Sequence, residues 1–274
     1  MSTSVVPRQM ETFIVRPRAR GIRSFITDTL LLTQRNLRLT IRTPELIVFA
    51  AIMPIMFVLL FRYVFGGSIV IPGYTNYVDY LMAGIMVQTA IFGGSSSAVG
   101  VAEDFAKGVT DRLRSLPTNR LAILSARTLA DLVRLTYTMG ILIAVGLLVG
   151  FRFHNSVLPC VLGIGIAVLF GYACSWLFTL VGLMVRNAET ATVAGFIITF
   201  PLVFAASTFT STSAMPEPLR SFAEAQPVTK VADAVRALTH GSGFAGHATA
   251  DALMWCAGIL LVAAALATWK FRRV

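Results

Sequence analysis

Three histidines and three cysteines are the residues of this chain best suited to metal binding or nucleophilic chemistry. His154, His240 and His247 form no His-Glu-x-x-His pattern, so their spacing does not indicate a zinc site and predicts solvated loop residues. The cysteines lie in or beside uncharged runs, without the close spacing of a disulfide framework. We expect them to be buried apolar residues: Cys160, Cys174 and Cys256.

Nucleotide chemistry is not expected on this chain. The sequence has no phosphate-binding loop of the form Gly-x-x-x-x-Gly-Lys-Ser/Thr. The run from Gly241 to Gly246 has the form Gly-x-Gly-x-x-Gly, but no predicted strand precedes it, and we interpret it as a loop. No bound cofactor is therefore predicted for this chain, and any ATPase activity must belong to another polypeptide.

Charged side chains that could move protons or ions are rare inside the apolar runs. Asp131 and Arg134 lie at the start of one run and are expected to pair with each other at the cytoplasmic interface. Proton-coupled carriers and intramembrane hydrolases generally need charges within the membrane, so the pattern disfavours both classes. The remaining polarity fits helix packing better than a weakly polar pathway lining, although both readings stay open: Gln88, Thr89, Ser95, Ser96 and Thr199.

The composition indicates a membrane protein. Of the 274 residues, 56% are hydrophobic and only 13% are charged, and the mean hydropathy is +0.75, more apolar surface than one soluble domain can bury. The net charge of +10 comes from basic residues between long apolar runs. A nucleic-acid-binding protein would instead carry a basic face on a soluble domain, so no nucleic-acid partner is predicted.

Six apolar segments are long enough for membrane spans, because a helix needs about 20 residues to cross the hydrocarbon core. No small-residue cleavage site follows the first segment, so we expect it to remain as an anchor. Most basic residues precede the first segment, follow the second or follow the last, which places both termini in the cytoplasm. The predicted fold is an all-α membrane protein with six transmembrane helices at about 46–65, 80–101, 129–150, 157–184, 190–214 and 252–269.

Polar segments flank these spans. Residues 1–20 are expected to form a flexible basic tail. The apolar periodicity of residues 21–45 predicts an amphipathic helix in the cytoplasmic membrane interface, with Asp28 and the arginines on its polar arc. A surface helix of a soluble domain is the alternative, but no such domain is present. Residues 214–251 form a long outer segment, part of which is expected to dip into the outer leaflet.

The segment at 103–120 mixes charges of both signs with an apolar ridge. A helix in this segment would end before Pro117 and could dock into a groove on a cytoplasmic partner. An ordinary interfacial loop is equally compatible with the residues alone.

After the second span come an acidic residue, Glu103, a glycine, Gly108, and an Arg-Leu-x-Ser-Leu-Pro run at 112–117. With this motif, the layout of nearly the whole chain resembles the membrane subunits of type-2 ABC transporters, and among them the daunorubicin-resistance-like exporters. Members carry an acidic residue, a glycine and an Arg-Leu-x-Ser-Leu-Pro run after the second span, and Ser115 falls in that run. The resemblance implies that this segment is the coupling helix that contacts the ATPase. Its candidate contact residues are Glu103, Phe105, Gly108, Arg112, Leu113, Leu116, Pro117 and Arg120.

A second similarity precedes the last span, where members often have Asn-Pro followed by an Asp-x-x-Arg helix. This chain has Gln226-Pro227 and then Asp233 and Arg236, so glutamine replaces the usual asparagine. The resemblance implies short re-entrant helices in this outer segment, near the exit of the pathway.

The resemblance also implies a function and partners. The chain would be the membrane-spanning subunit of an exporter of a hydrophobic drug, lipid or lipid-linked glycan in the bacterial plasma membrane. Two cytoplasmic ATPase subunits would bind ATP and Mg²⁺, and the membrane part would be a homodimer or a heterodimer with a related subunit. The alternatives are a membrane enzyme or scaffold without an ATPase, and an ion-coupled carrier.

Overall fold

The computed structural model describes residues 21–42, 44–69, 71–109, 112, 120–185, 187–241 and 245–273. Within these ranges the chain is helical and has no strand. The predicted tail at 1–20 and much of the coupling segment lie outside them. The helices are α1 (Ile22–Ile41), α2 (Pro44–Leu60), α3 (Tyr77–Ala106), α4 (Arg120–Val149), α5 (Val157–Val185), α6 (Ala188–Phe204), α7 (Glu217–Ala225), α8 (Pro227–His240) and α9 (Ala245–Arg273).

Helix α3 is the centre of the fold. Every side chain from Tyr77 to Ile91 is buried, because α2, α4, α5, α6 and α8 all pack against this helix. Its closest neighbour is α5, and glycines set the distance. A Cβ on Gly94 would lie 2.7 Å from the Cβ of Cys174, and a Cβ on Gly182 would lie 2.5 Å from the carbonyl oxygen of Ala98. Small residues at such contacts let membrane helices approach closely.

Four helices are long and apolar enough to cross a membrane, namely α3, α4, α5 and α9. The two other predicted spans fall on shorter apolar helices, 50–65 and α6. Helix α2 continues as a π-helix from Phe61 to Phe65. Helix α6 ends at Phe204, whereas the sequence predicted a span to 214. The all-α class is thus confirmed for the described residues, and the count of six spans stays a prediction.

The long helices extend beyond the predicted spans. Helix α4 starts at Arg120, so Asp131 lies in its fourth turn and not in its first.

Helix α9 carries Trp255 and Trp269 on its surface about 21 Å apart along the helix axis. Partly exposed tryptophans at two levels are typical of the two membrane interfaces.

Helix α1 packs along α4, so some of its polar residues are buried while others stay exposed. Asp28 is only 3% exposed, so its predicted place on the polar arc beside solvated arginines was wrong. The reason is tertiary packing: this face lies on α4, where Thr33 donates a hydrogen bond to the carbonyl oxygen of Ala126 at 3.3 Å. Ile22 and Leu30 are exposed, which leaves apolar surface available for lipid.

Candidate functional site

Arg236 on α8 is the most highly connected charged side chain of the described structure. It is 4% exposed, and its guanidinium donates to the hydroxyl of Ser207 at 2.8 Å and to the carboxylate of Asp233 at 2.8 Å. It also donates to the carbonyl oxygens of Ser207, Tyr80 (3.2 Å) and Thr208 (3.4 Å). The guanidinium lies 3.7 Å from the centre of the Tyr80 ring. One buried cation therefore joins α8, α3 and the segment after α6.

Several acceptors of this network are backbone carbonyls just beyond the end of α6, which no helix satisfies. Tyr77 donates to the carbonyl oxygen of Phe209 at 2.7 Å, and Tyr80 donates to that of Ser207 at 2.8 Å. Gln226 donates to the carbonyl oxygen of Ala205. Non-helical backbone is stable at membrane depth only when protein groups pair with it. Side chains of α3 and α8 supply that pairing here.

The sequence motif of the outer segment thus lies where α8 and the residue before it bind the backbone that follows α6. Pro227 is the first residue of α8, where its missing N–H costs no hydrogen bond, and Gln226 precedes it. Asp233 is exposed, yet it accepts from both Arg236 and Ser207. The segment predicted to form re-entrant helices contains α7 and α8, and that these helices re-enter the membrane stays a prediction. Their place at the exit of a pathway stays a prediction.

A cavity of about 300 Å³ opens beside the middle of α3. Three of the five candidate pathway residues, Gln88, Thr89 and Ser96, lie on its wall. Its mouth includes Met53 of α2 and Phe196 of α6, both of which are exposed on the apolar surface. Gln88 is buried, and its Oε1 has no hydrogen-bond partner among the described residues. The cavity is therefore apolar at the mouth, and its wall includes the side chain of Gln88, whose Oε1 is buried behind the cavity surface.

The other two candidates do not line this cavity. Ser95 lies on α3 and donates to the carbonyl oxygen of Phe92 at 2.8 Å. Thr199 lies on α6, is completely buried and has no partner for its hydroxyl among the described residues. A pathway role for any of the five stays a prediction.

An ion pair forms one end of the cavity. Arg134 lies 3.1 Å from Asp131, as the spacing predicted, and both side chains reach across to α3. Ser97 donates to Asp131 at 2.6 Å, and Arg134 donates to the hydroxyl of Ser96. Both side chains are mostly buried and contact α3, which the sequence did not predict. Their position at the cytoplasmic interface stays a prediction. The run of three serines from 95 to 97 was the one sign in the sequence of these hydrogen-bond partners on α3.

A second groove, of about 610 Å³, lies between α1, α3 and α4 and contains several charged groups. Ser96, Asp131 and Arg134 line both this groove and the smaller cavity, so the ion pair stands between the two spaces. Along the groove, Arg127 pairs with Asp104. The groove thus leads from the end of α3 toward the cavity.

Two of the predicted coupling residues lie in the last turn of α3. Glu103 pairs with Lys107 at 2.7 Å, and this hydrogen bond raises the pKa of the lysine. Phe105 contacts Phe271 of α9, with ring centroids 6.5 Å apart. Helix α3 continues to Ala106, beyond the predicted end of the span at 101, so these two residues belong to α3, and their contact with an ATPase stays a prediction.

The rest of the coupling segment is described only in part. Gly108 has a φ of 64°, a left-handed conformation that favours glycine, and Arg112 is exposed. Arg120 begins α4. Leu113, Leu116 and Pro117 lie outside the described residues, so the coupling role stays a prediction.

His154 and His240, both predicted to be solvated loop residues, lie side by side, and the prediction was wrong for His240, which is the last residue of α8 and only partly exposed. The Nδ1 atoms of His154 and His240 lie 3.2 Å apart, and the buried carboxylate of Asp79 lies 3.8 Å from His154. His247 is exposed in the first turn of α9. The cysteines are buried and free, as predicted. No sequence pattern indicated the histidine cluster, because its members are widely separated along the chain.

The long apolar helices and their exposed apolar side chains define a multi-pass integral membrane protein. The profile described as "ABC-2 type transporter" matches residues 27–239, and the chain belongs to this family. Members of the family are the membrane subunits of transporters. The predicted resemblance is therefore confirmed.

Two named relatives are similar over most of their length. The "Daunorubicin resistance ABC transporter permease protein DrrB1" of Streptomyces coeruleorubidus is 27% identical over 241 residues, which cover 88% of this chain and 85% of the relative. The "Probable doxorubicin resistance ABC transporter permease protein DrrC" of Mycobacterium tuberculosis (strain ATCC 25618 / H37Rv) is 28% identical over 256 residues, which cover 92% of this chain and 90% of the relative.

Proposed function

We propose that this chain is the membrane-spanning subunit of an exporter that moves a hydrophobic or amphipathic drug or a lipid across the bacterial plasma membrane. In this proposal the chain has six spans and both termini in the cytoplasm. The helical segment 44–65 and α6 are the two shorter spans. Two ATPase subunits on separate polypeptides drive it, and a second membrane subunit, identical or related, completes the complex.

The cavity beside α3 is the observation that carries the substrate part of this proposal. Its volume of about 300 Å³ falls at the lower end of the range of small-molecule sites. Its mouth lies between the apolar surfaces of α2 and α6, so an amphipathic molecule could enter from the bilayer without crossing water. Rotation of the Gln88 side chain would bring its amide group to the cavity wall, where it would form a hydrogen bond with a polar group of that molecule.

The charged groove supports the coupling part. It begins at the end of α3, where the coupling segment starts, and it reaches the Asp131–Arg134 pair at the cavity. A displacement of α3 against α4 by the ATPase would separate Ser96 and Ser97 from this pair. The pair would then act as a partition between groove and cavity that opens and closes during the cycle.

The test is ATP-driven transport by the assembled complex in inverted membrane vesicles, with fluorescent doxorubicin as the probe. We expect uptake that stops on ATP depletion and continues after collapse of the proton gradient. Uptake that depends on the gradient alone would refute ATP coupling and favour an ion-coupled carrier. Purification of the chain without any ATPase, under conditions that preserve other complexes, would favour a membrane enzyme or scaffold.

A matched pair of variants tests the cavity. Gln88→Leu and Thr199→Val each remove a buried polar group that has no partner among the described residues, but only Gln88 lies at the cavity. We expect Gln88→Leu to raise the doxorubicin concentration for half-maximal uptake about tenfold, roughly one lost hydrogen bond. Thr199→Val should leave it unchanged. Equal effects of the two variants would remove the cavity from the pathway.

A further inference from the structure

His154, His240 and Asp79 meet at the end of the molecule where α3 begins and α8 ends. One possible ligand atom from each lies within 4.8 Å of the others. His154 is between the other two, with Nδ1 at 3.2 Å from His240 and Nε2 at 3.8 Å from Asp79. Three donors around a tetrahedral Zn²⁺ lie about 3.3 Å apart, so shifts of about 1 Å would bring one atom of each to a common ion.

The backbone around the cluster holds it in place. The N–H of Arg152 donates to Oδ1 of Asp79 at 3.0 Å, which leaves Oδ2 facing the histidines. The N–H of His154 donates to the carbonyl oxygen of Thr239 at 3.1 Å, beside His240. The ring of Tyr74 stacks on that of His240 with centroids 4.4 Å apart. Such outer contacts orient the ligands of metal sites.

The electrostatics favour a cation at this point. The side chain of Asp79 is 2% exposed, and a buried carboxylate needs a compensating positive charge. The guanidinium of Arg152 donates to the carbonyl oxygens of Leu147 and Phe151 at 2.9 Å, not to this carboxylate. His240 is the last residue of α8, where the helix dipole attracts positive charge.

We propose that Asp79, His154 and His240 form a binding site for Zn²⁺. Two imidazole nitrogens and one carboxylate oxygen suit this ion, with water in the fourth position. The side chain of His154 is 43% exposed, which gives the ion a path from solvent. The ion would fix the loop at 151–156 and the end of α8 to the start of α3. This site does not depend on the proposed transport function.

The test is direct Zn²⁺ binding to the full chain, purified in detergent with a tag that contains no histidine. Equilibrium dialysis with radioactive Zn²⁺ should give one tight site per chain. His154→Gln, His240→Gln and Asp79→Asn should each weaken it by at least about tenfold. His247→Gln is the matched control, because this third histidine lies outside the cluster, and it should bind like the wild type.

Two further readouts separate metal binding from a structural role of the same side chains. Zinc X-ray absorption should report imidazole ligands at about 2.0–2.1 Å, and Zn²⁺ should raise the Tm of the wild type but not of His154→Gln. If the wild type binds no more Zn²⁺ than the His154→Gln/His240→Gln double variant, the site does not exist. Equal losses in His247→Gln would likewise overturn the assignment.

Discussion

Replacing Arg236 should destabilise the protein more than the loss of any other single basic residue on α8. The guanidinium is 4% exposed and holds non-helical carbonyls that follow α6. Arg236→Ala removes every one of these donors at once and leaves a void next to the Tyr80 ring. Water has little access to this position, so the abandoned carbonyls would not be solvated.

The magnitude follows from the individual contacts. Breaking a buried, hydrogen-bonded charge pair by removing one partner costs about 3–5 kcal/mol. Asp233 is 49% exposed, so water takes over its carboxylate and the lower part of this range is expected. We therefore predict a loss of about 3–4 kcal/mol in the free energy of unfolding for Arg236→Ala. Arg236→Lys keeps the charge but has a single ammonium group, so it should lose about half as much.

The assay is unfolding of the purified chain in detergent micelles, followed by tryptophan fluorescence as denaturant is added. Lys230→Ala is the matched control on the same helix, because its ion pair with Asp251 at 3.3 Å is partly exposed. It should cost less than about 1 kcal/mol. The reasoning is refuted if Arg236→Ala loses no more stability than this control.

Three further changes test the packing and the polar network. Gly182→Val should lower the free energy of unfolding by about 3 kcal/mol, because its Cβ would meet a backbone carbonyl of α3. Gly165→Val is the control: no atom lies near its Cβ, so it should cost less than about 0.5 kcal/mol. Equal shifts in Tm would contradict the close α3–α5 contact. Tyr80→Phe removes one hydroxyl and should lower the unfolding free energy by about 1 kcal/mol in the same denaturation assay, and no change would mean that its hydrogen bond is not formed. Asp131→Asn should destabilise by about 2 kcal/mol, and the double variant with Arg134→Met should regain part of this loss; additive losses in the double-mutant cycle would show that the two charges are not coupled.

The sequence predicts the apolar helices well because hydropathy depends on composition alone. It predicts their ends poorly for two reasons. Helix α4 extends from its apolar part back to Arg120 through residues that hydropathy does not recognise as a span. The uncharged stretch after Phe204 looks like a continuing span, yet its backbone leaves the helix, because donors on α3 and α8 take its carbonyls. Those donors are remote in sequence.

In the candidate sites, too, local motifs can be predicted from the sequence, whereas contacts between remote residues cannot. The Asp-x-x-Arg motif at Asp233 and Arg236 could be found from sequence, but its carbonyl acceptors could not. The burial of Asp28 contradicts the helical pattern of α1, since a helical wheel does not show which face meets α4. The cluster of Asp79, His154 and His240 depends wholly on the fold, which brings the start of α3 to the end of α8.

The early end of α6 has a consequence for the surrounding bilayer. In the proposed six-span topology, this helix of 17 residues is about 26 Å long, several ångströms shorter than the hydrocarbon core. Lipid next to a short hydrophobic span thins to match it, at a modest energetic cost. The exposed Phe196 and Phe200 would lie against this thinned patch, next to the mouth of the cavity. A lipid-soluble molecule that reached the protein there would have a shorter distance to travel between the two leaflets.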